Sequence, residues 1–204
     1  MADDGGPASE VDALALTGPT ASGKTALALA LAERLDAEII SMDSRQVYRG
    51  MDIGTAKATA AERAAVPHHG LDLVRPGERY SAGRFGRDAR RWIEEIRARG
   101  RVPLLVGGTG FFLRALTKPL FEEPPMDPDR RRRLHEVLAE REDRELRRFL
   151  GALDPDSAAR FERKGEGGGG GGRQRLLRAL EVALLTGRPL GWWHRHHPGP
   201  APLD

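Results

Sequence analysis

The 204-residue sequence contains no cysteine. That excludes a disulfide framework and a thiolate metal site, and it points to a reducing cytosol. No apolar run approaches the roughly 20 residues that span a bilayer, so no membrane anchor is expected. Met1 to Val11 is acidic and rich in glycine and proline, without the basic and apolar regions of a signal peptide. Lysine is scarce: the 33 basic residues comprise 29 Arg and 4 Lys. Arginine suits phosphate recognition, because its planar fork holds two oxygens at once.

What is present is enough chain for one domain and an additional lobe. The net charge of +3 is unevenly divided. Residues 1–100 carry 14 basic and 15 acidic groups, and residues 101–204 carry 19 and 15. A modestly basic second half is compatible with a nucleic-acid partner. Residues 1–10 read as a disordered leader. Val11 to Thr17 and Ala37 to Met42 are short apolar runs that read as buried strands, with Leu71 to Val74 as a third candidate. Thr25 to Leu35 is a helix rich in Ala and Leu. Ser81 to Arg99 is an amphipathic helix, with Phe85, Ala89, Trp92 and Ile96 on one stripe. Val102 to Val106 is a further strand, and Gly107-Gly108-Thr109-Gly110 leads into another helix. This alternation predicts an α/β fold with a parallel sheet over residues 11–120.

Beyond Pro119 the strand signal ends. Asp127 to Leu150 and Arg173 to Leu185 read as charged helices, so residues 121–193 form a helical lobe. Within it, residues 165–172 include six consecutive glycines and read as a flexible linker. Residues 194–204 read as a disordered tail.

Gly18-Pro19-Thr20-Ala21-Ser22-Gly23-Lys24-Thr25 matches the P-loop pattern, G-x-x-x-x-G-K-[ST]. In a chain of this composition that match arises by chance about 0.4% of the time. The glycines let backbone N–H groups curl around a phosphate, and the following helix directs its positive end there. Lys24 brings a cation to the terminal phosphate oxygens, and Thr25 offers a hydroxyl to Mg²⁺. Asp43 directly follows the second strand, where P-loop proteins commonly place a carboxylate that binds Mg²⁺ or accepts a proton. The pattern implies a diphosphate or triphosphate ligand without saying what is transferred.

The P-loop, Asp43-Ser44-Arg45-Gln46-Val47-Tyr48, Met51-Asp52-Ile53-Gly54-Thr55-Ala56-Lys57, Gly107-Gly108-Thr109-Gly110, Asp154-Pro155 and Arg173 to Val182 occur in that order. The set resembles the tRNA dimethylallyltransferases, also called tRNA isopentenyltransferases or the IPP transferase family. The resemblance implies a P-loop NTPase-like core with an added helical lobe. The implied reaction moves a dimethylallyl group from dimethylallyl diphosphate to the exocyclic amine of the adenine 3′-adjacent to the anticodon. That is position 37 of tRNAs reading codons that begin with U. Diphosphate leaves, so the loop need not hydrolyse ATP. By the same resemblance Asp43 is the general base. Lys24, Thr25 with Mg²⁺ and the loop N–H groups stabilise the leaving diphosphate. The target adenine must flip out of the anticodon stack to be reached.

The implied tRNA contacts are Asp43, Ser44, Arg45, Gln46, Thr109, Arg131 and the run Gln174, Arg175, Leu176, Leu177 and Arg178. Thr109 also reads as a helix N-cap, and Arg130 to Arg133 as a solvated helix face. His68-His69 lacks helical metal-pair spacing, and Asp72 reads as structural. The implied setting is a cytoplasmic monomer whose partners are tRNA and dimethylallyl diphosphate. Two features depart from the family pattern. An Ile-His-Pro-Asn-Asp segment is replaced by Phe161 to Gly172, which leaves the pose of Gln174 to Arg178 open. The family's further basic helices are absent after Trp193, so the chain reads as an N-terminal fragment. An adenylate isopentenyltransferase, a small-molecule P-loop kinase and an inactive tRNA-binding fragment are the alternatives.

Overall fold

The structure is a computed structural model that describes residues 11–118, 121, 124–163 and 172–203. The predicted leader, residues 1–10, and the linker, except Gly172, lie outside those residues. The chain divides into two compact units, Met1–Pro119 with Ala201–Asp204, and Leu120–Pro200.

In the first unit, β1 (Leu14–Thr17) leads into α1 (Lys24–Leu35) and β2 (Ala37–Ser41). A single 3₁₀ turn (Ile53–Thr55), α2 (Ala60–Ala65) and β3 (His68–His69) follow. The unit continues through α3 (Ala82–Ala98), β4 (Val102–Gly107) and α4 (Gly110–Thr117). The strands pair in parallel in the order β1-β4-β2-β3. Alternate side chains leave opposite faces of such a sheet. Ala37, Ile39 and Leu104 meet Ala28 and Ala32 of α1 on one face. Ile40 and Leu105 point the other way, where α3 packs against β2 and β4. Cover on both faces explains why β2 is buried along its whole length, as parallel strands require.

The third strand differs from expectation. Strand pairing falls on His68 and His69, opposite Ile39 and Ile40, while Leu71 to Val74 contributes only a bridge from Val74 to Tyr48. A left-handed residue at Asp72 (φ 54°), preceded by Gly70, breaks extended geometry there. The helix α2 was hidden by its brevity, although Thr59 and Glu62 form a full capping box at its start.

One buried carboxylate clamps this unit. Glu38 on β2 is 3% exposed. It accepts hydrogen bonds from Arg99 Nη2 at 2.8 Å and Arg99 Nε at 3.0 Å, and pairs with His69 Nε2 at 2.7 Å. Arg101 approaches the same carboxylate at 3.4 Å. This engages both histidines elsewhere than a metal: His68 Nδ1 lies 2.7 Å from the Val66 carbonyl oxygen. Among the described residues no cluster of His, Cys, Asp and Glu could hold a metal. No described helix is long and apolar enough to cross a membrane.

The second unit is helical, with α5 (Pro128–Ala139), α6 (Asp143–Leu153), α7 (Pro155–Arg163), α8 (Gly172–Thr186) and α9 (Leu190–His196). Leu138, Leu146, Leu150, Leu176, Ala179 and Leu180 form its core. Asp154 explains the Asp-Pro pair: its Oδ1 accepts the Ser157 N–H at 3.1 Å, and Pro155 occupies the first helical position of α7. The expected disordered tail is corrected, because His194 to His196 belong to α9. That helix starts after Pro189, and Trp193 Nε1 donates to Thr186 Oγ1 at 3.0 Å. In the first unit, Leu203 N–H donates to the Leu116 carbonyl at 2.9 Å.

Burial raises the Glu38 pKa, but bonds and charges from Arg99 and His69 outweigh that and lower it to about 2, from an ordinary 4.5. A depressed carboxylate contributes stability above its unfolded pKa, and that stability is lost as pH falls through the folded one. Glu38→Gln is expected to cost about 2 kcal/mol at neutral pH, the arginines being partly solvated. Acid titration followed by circular dichroism should show wild-type stability declining between pH 4.5 and 2, with that decline reduced in the variant.

Candidate functional site

The phosphate turn is built from backbone. After β1 the chain turns through Gly18 to Gly23, with Ala21 (φ 63°) and Gly23 (φ 80°) both left-handed. Gly23 sits at the N-cap of α1, where a left-handed residue without a Cβ costs least. Ala21 carries a small strain, of the kind that collects at functional sites. Lys24 curls back over the turn, donating to the Pro19 carbonyl and lying 3.4 Å from Ser22 Oγ. Thr20, Ser22 and Thr25 are exposed. Thr25 stands in the first turn of α1, where the helix dipole favours anions.

Asp43 follows β2, but β2 is not the neighbour of β1. The strand β4 passes between them. Two inter-strand spacings put roughly 10 Å between β1 and β2. The end of β4 keeps that gap free of side chains. A Cβ on Gly107 would lie 2.4 Å from the Met42 carbonyl oxygen, and one on Gly108 would lie 3.2 Å from that of Gly18. A cleft of about 330 Å³ results, walled by the backbones of Thr17 to Pro19 and Gly107 to Gly110 and lined by Met42 and Leu113.

Asp43 Oδ1 accepts the N–H groups of Arg45 at 2.8 Å and Gln46 at 3.4 Å, a turn that fixes the carboxylate. Among the described residues nothing bonds to the other oxygen. Thr109 stands at the N-cap position of α4 without capping it. Its hydroxyl instead accepts the Ser44 N–H at 3.2 Å, and its own N–H donates to the Met42 carbonyl at 3.2 Å. The Asp43 turn and the glycine turn are thus tied together.

The other expected contacts separate into two groups. Ser44, Arg45, Gln174 and Arg175 are exposed. Gln46 spends its amide on the protein: Oε1 accepts from Ser41 Oγ at 2.8 Å, and Nε2 donates to the carbonyls of Thr55 at 2.9 Å and Ala56 at 3.3 Å. Leu176 is 1% exposed and Leu177 packs beside it, so both serve the second unit's core. Arg131 and Arg178 converge on buried Glu181, with Arg178 Nη1 at 2.9 Å and His135 Nε2 at 3.2 Å. Burial raises the Glu181 pKa, but Arg178 and Arg131 more than offset it and hold the carboxyl below its usual range. The structure pairs Arg131 and Arg178 with Glu181, a role separate from the RNA contact that the resemblance implies.

The start of α8 is tied to its neighbours within the second unit. Arg173 pairs with Asp143 and donates to the carbonyls of Ala139 at 3.0 Å and Arg141 at 2.9 Å. That interaction fixes the start of the helix that exposes Gln174 and Arg175. Sequence reading missed Met42 and Leu113 as cleft residues, although it singled out the glycine turn that begins at Gly107.

A parallel sheet with a glycine turn at the N-terminus of α1, and a carboxylate beyond a second strand, defines a P-loop NTPase-like fold. The sequence matches the family described as IPP transferase over residues 46–204, and that described as isopentenyl transferase over residues 11–68. The chain belongs to the IPP transferase family. It is 50% identical over 191 residues to a tRNA dimethylallyltransferase of Stenotrophomonas maltophilia, covering 94% of this chain and 58% of that one. A full-length tRNA isopentenylpyrophosphate transferase from Bacillus halodurans matches at 42% identity and TM-score 0.52, over 86% of this chain and 56% of that one. A eukaryotic dimethylallyltransferase acting on tRNA matches at 28% identity and TM-score 0.69, over 94% and 46%. The chain spans a little over half the length of the curated relatives it matches.

Because Gly107 meets backbone, its replacement cannot be absorbed by a side-chain shift. Gly107→Ala is expected to cost about 2–3 kcal/mol, read as a lowered urea midpoint with an unchanged slope.

Proposed function

We propose that the protein transfers a dimethylallyl group from dimethylallyl diphosphate to the exocyclic amine of the adenine 3′-adjacent to the anticodon of a tRNA. The observation that carries this reading is the cleft between the glycine turn after β1 and the exit of β2, floored by the glycines of β4, with Asp43 next to its lining residue Met42 and one Asp43 oxygen unbonded among the described residues. The two strand spacings between β1 and β2, roughly 10 Å, are of the size that an allyl group and an amine need between turn and carboxylate. The relatives' activity supports the same assignment.

The turn's N–H groups and Lys24 hold the diphosphate, and their interaction strengthens as charge grows on it during C–O cleavage. Asp43 takes the proton that the adenine amine must lose as the C–N bond forms. Its turn holds the carboxylate while leaving an oxygen free for that proton. Met42 and Leu113 offer an apolar surface to the dimethylallyl chain. Thr25 fits a Mg²⁺ ion, which takes few protein ligands and completes its shell with phosphate oxygens and water. When bound, that ion would draw charge from the departing diphosphate. The adenine reaches the cleft flipped from its stack, and exposed Ser44, Arg45, Gln174 and Arg175 are available to the RNA.

Asp43→Asn keeps the amide acceptor for the Arg45 and Gln46 N–H groups but cannot take a proton. It is expected to lower transfer to tRNA by at least about 100-fold, while the dissociation constant of dimethylallyl diphosphate stays within about twofold. Retained transfer in this variant rejects the base assignment. Transfer from labelled donor to AMP but not to tRNA indicates the free-nucleotide enzyme instead. Lys24→Ala is expected to weaken binding of inorganic diphosphate about tenfold or more in calorimetry, about 1.4 kcal/mol; unchanged affinity removes Lys24 from the site.

A further inference from the structure

The reaction described above leaves Lys57 unused, although its side chain is wholly buried. A lone buried ammonium is costly, and it survives only when its donors are matched. Lys57 has three donors and meets three acceptors. They are the Tyr48 carbonyl, Asp52 Oδ1 and Asp72 Oδ1, each at 2.7 Å. Burial would lower its pKa, but bonds to Asp52 and Asp72 outweigh that and raise it, so the group stays charged.

The three acceptors come from different stretches of chain, and one of them leads to the site. Lys57 Nζ bonds the Tyr48 carbonyl. The Tyr48 N–H bonds the Arg45 carbonyl at 3.1 Å, and the Arg45 N–H bonds Asp43 Oδ1 at 2.8 Å. Three consecutive hydrogen bonds therefore connect the ammonium to the carboxylate. A second tie runs beside the first, because Gln46 Nε2 bonds the carbonyls of Thr55 and Ala56, just before Lys57. Asp72 completes the closure. It pairs with Arg63 at 2.8 Å, and its N–H donates to the Gln46 carbonyl at 3.2 Å.

We propose that Lys57 is a positioning residue for transfer: its ammonium closes residues 43–57 against Asp72 and so sets the orientation of the Asp43 carboxylate. The proposal rests on Asp43 acting as the general base. A loop held by backbone bonds alone would let the Asp43 turn rotate without unfolding the sheet. The buried ion turns it into a rigid extension of β2.

The test uses Lys57→Met and the double variant Lys57→Met/Asp72→Asn in the intact protein. The double variant also removes the Asp72 charge, and the remaining partner, Asp52, is 62% exposed and is met by water, which keeps the test sound if the single variant folds poorly. In the double variant the melting temperature should stay within a few degrees of wild type. The kcat for dimethylallyl transfer to tRNA should fall at least tenfold, with the KM for dimethylallyl diphosphate within twofold, because the phosphate turn lies on β1. Amide exchange by NMR, without substrate, should quicken at least tenfold at Arg45, Gln46 and Tyr48 and stay unchanged at Ala28 and Ala32 of α1. A kcat within twofold of wild type overturns the proposal, as does unchanged exchange at Arg45 and Gln46. A fall in kcat matched by a rise in KM also overturns it, since that marks general loosening. If the wild-type protein transfers nothing to tRNA, the proposed function fails, and the exchange measurement still decides whether Lys57 holds the Asp43 turn.

Discussion

The passage of β4 between β1 and β2 is the constraint on which the site depends. It separates the phosphate turn from Asp43 by two strand spacings, and it brings a glycine-rich exit to the floor between them. The close approach of Gly107 to the Met42 carbonyl makes the β2–β4 spacing a property of backbone packing. The Thr109 N–H and hydroxyl then join the two exits, to Met42 and Ser44. Lys24 and Asp43 acquire their separation from the sheet, and their own side chains need only reach inward.

Three buried charges do the work of holding elements in register. Glu38 joins β2 to the arginines that follow α3, Lys57 joins the Asp43 loop to the segment after β3, and Glu181 joins α8 to α5. Aromatic residues amount to 5% of the chain and charged residues to 31%, so ion pairs take positions that aromatic packing could otherwise fill. Such pairs add little net stability against a well-packed apolar alternative, but each demands one geometry. Directional contacts of this kind suit a protein that must fix a carboxylate and a phosphate turn at a set distance.

The sequence made the local parts of this arrangement legible. Apolar runs marked β1, β2 and β4, the stripe of Phe85, Ala89, Trp92 and Ile96 marked α3, and the P-loop pattern marked the phosphate turn. Strand order was not legible, because nothing near Asp43 records which strand lies beside it. The two-residue β3 and the short α2 fell below the length at which periodicity speaks. The pairing of Arg131 and Arg178 was not legible, because Glu181 lies far from Arg131 in the chain and beside Arg178 on a helix whose buried side could not be assigned. The histidines after Trp193 read as a disordered tail, since only the bond from Trp193 to Thr186 ties a further helix there.

The resting position of Lys24 has a consequence for turnover. Its ammonium is already bonded to the Pro19 carbonyl within its own loop. In the proposed reaction, capture of a diphosphate is therefore an exchange of acceptors, and the affinity gained is the difference between a phosphate oxygen and a carbonyl rather than the whole of a new bond. The same exchange runs backwards when the product departs. On that reading the loop supplies a competitor for its own ligand, and the leaving diphosphate would be retained less tightly than its charge alone dictates.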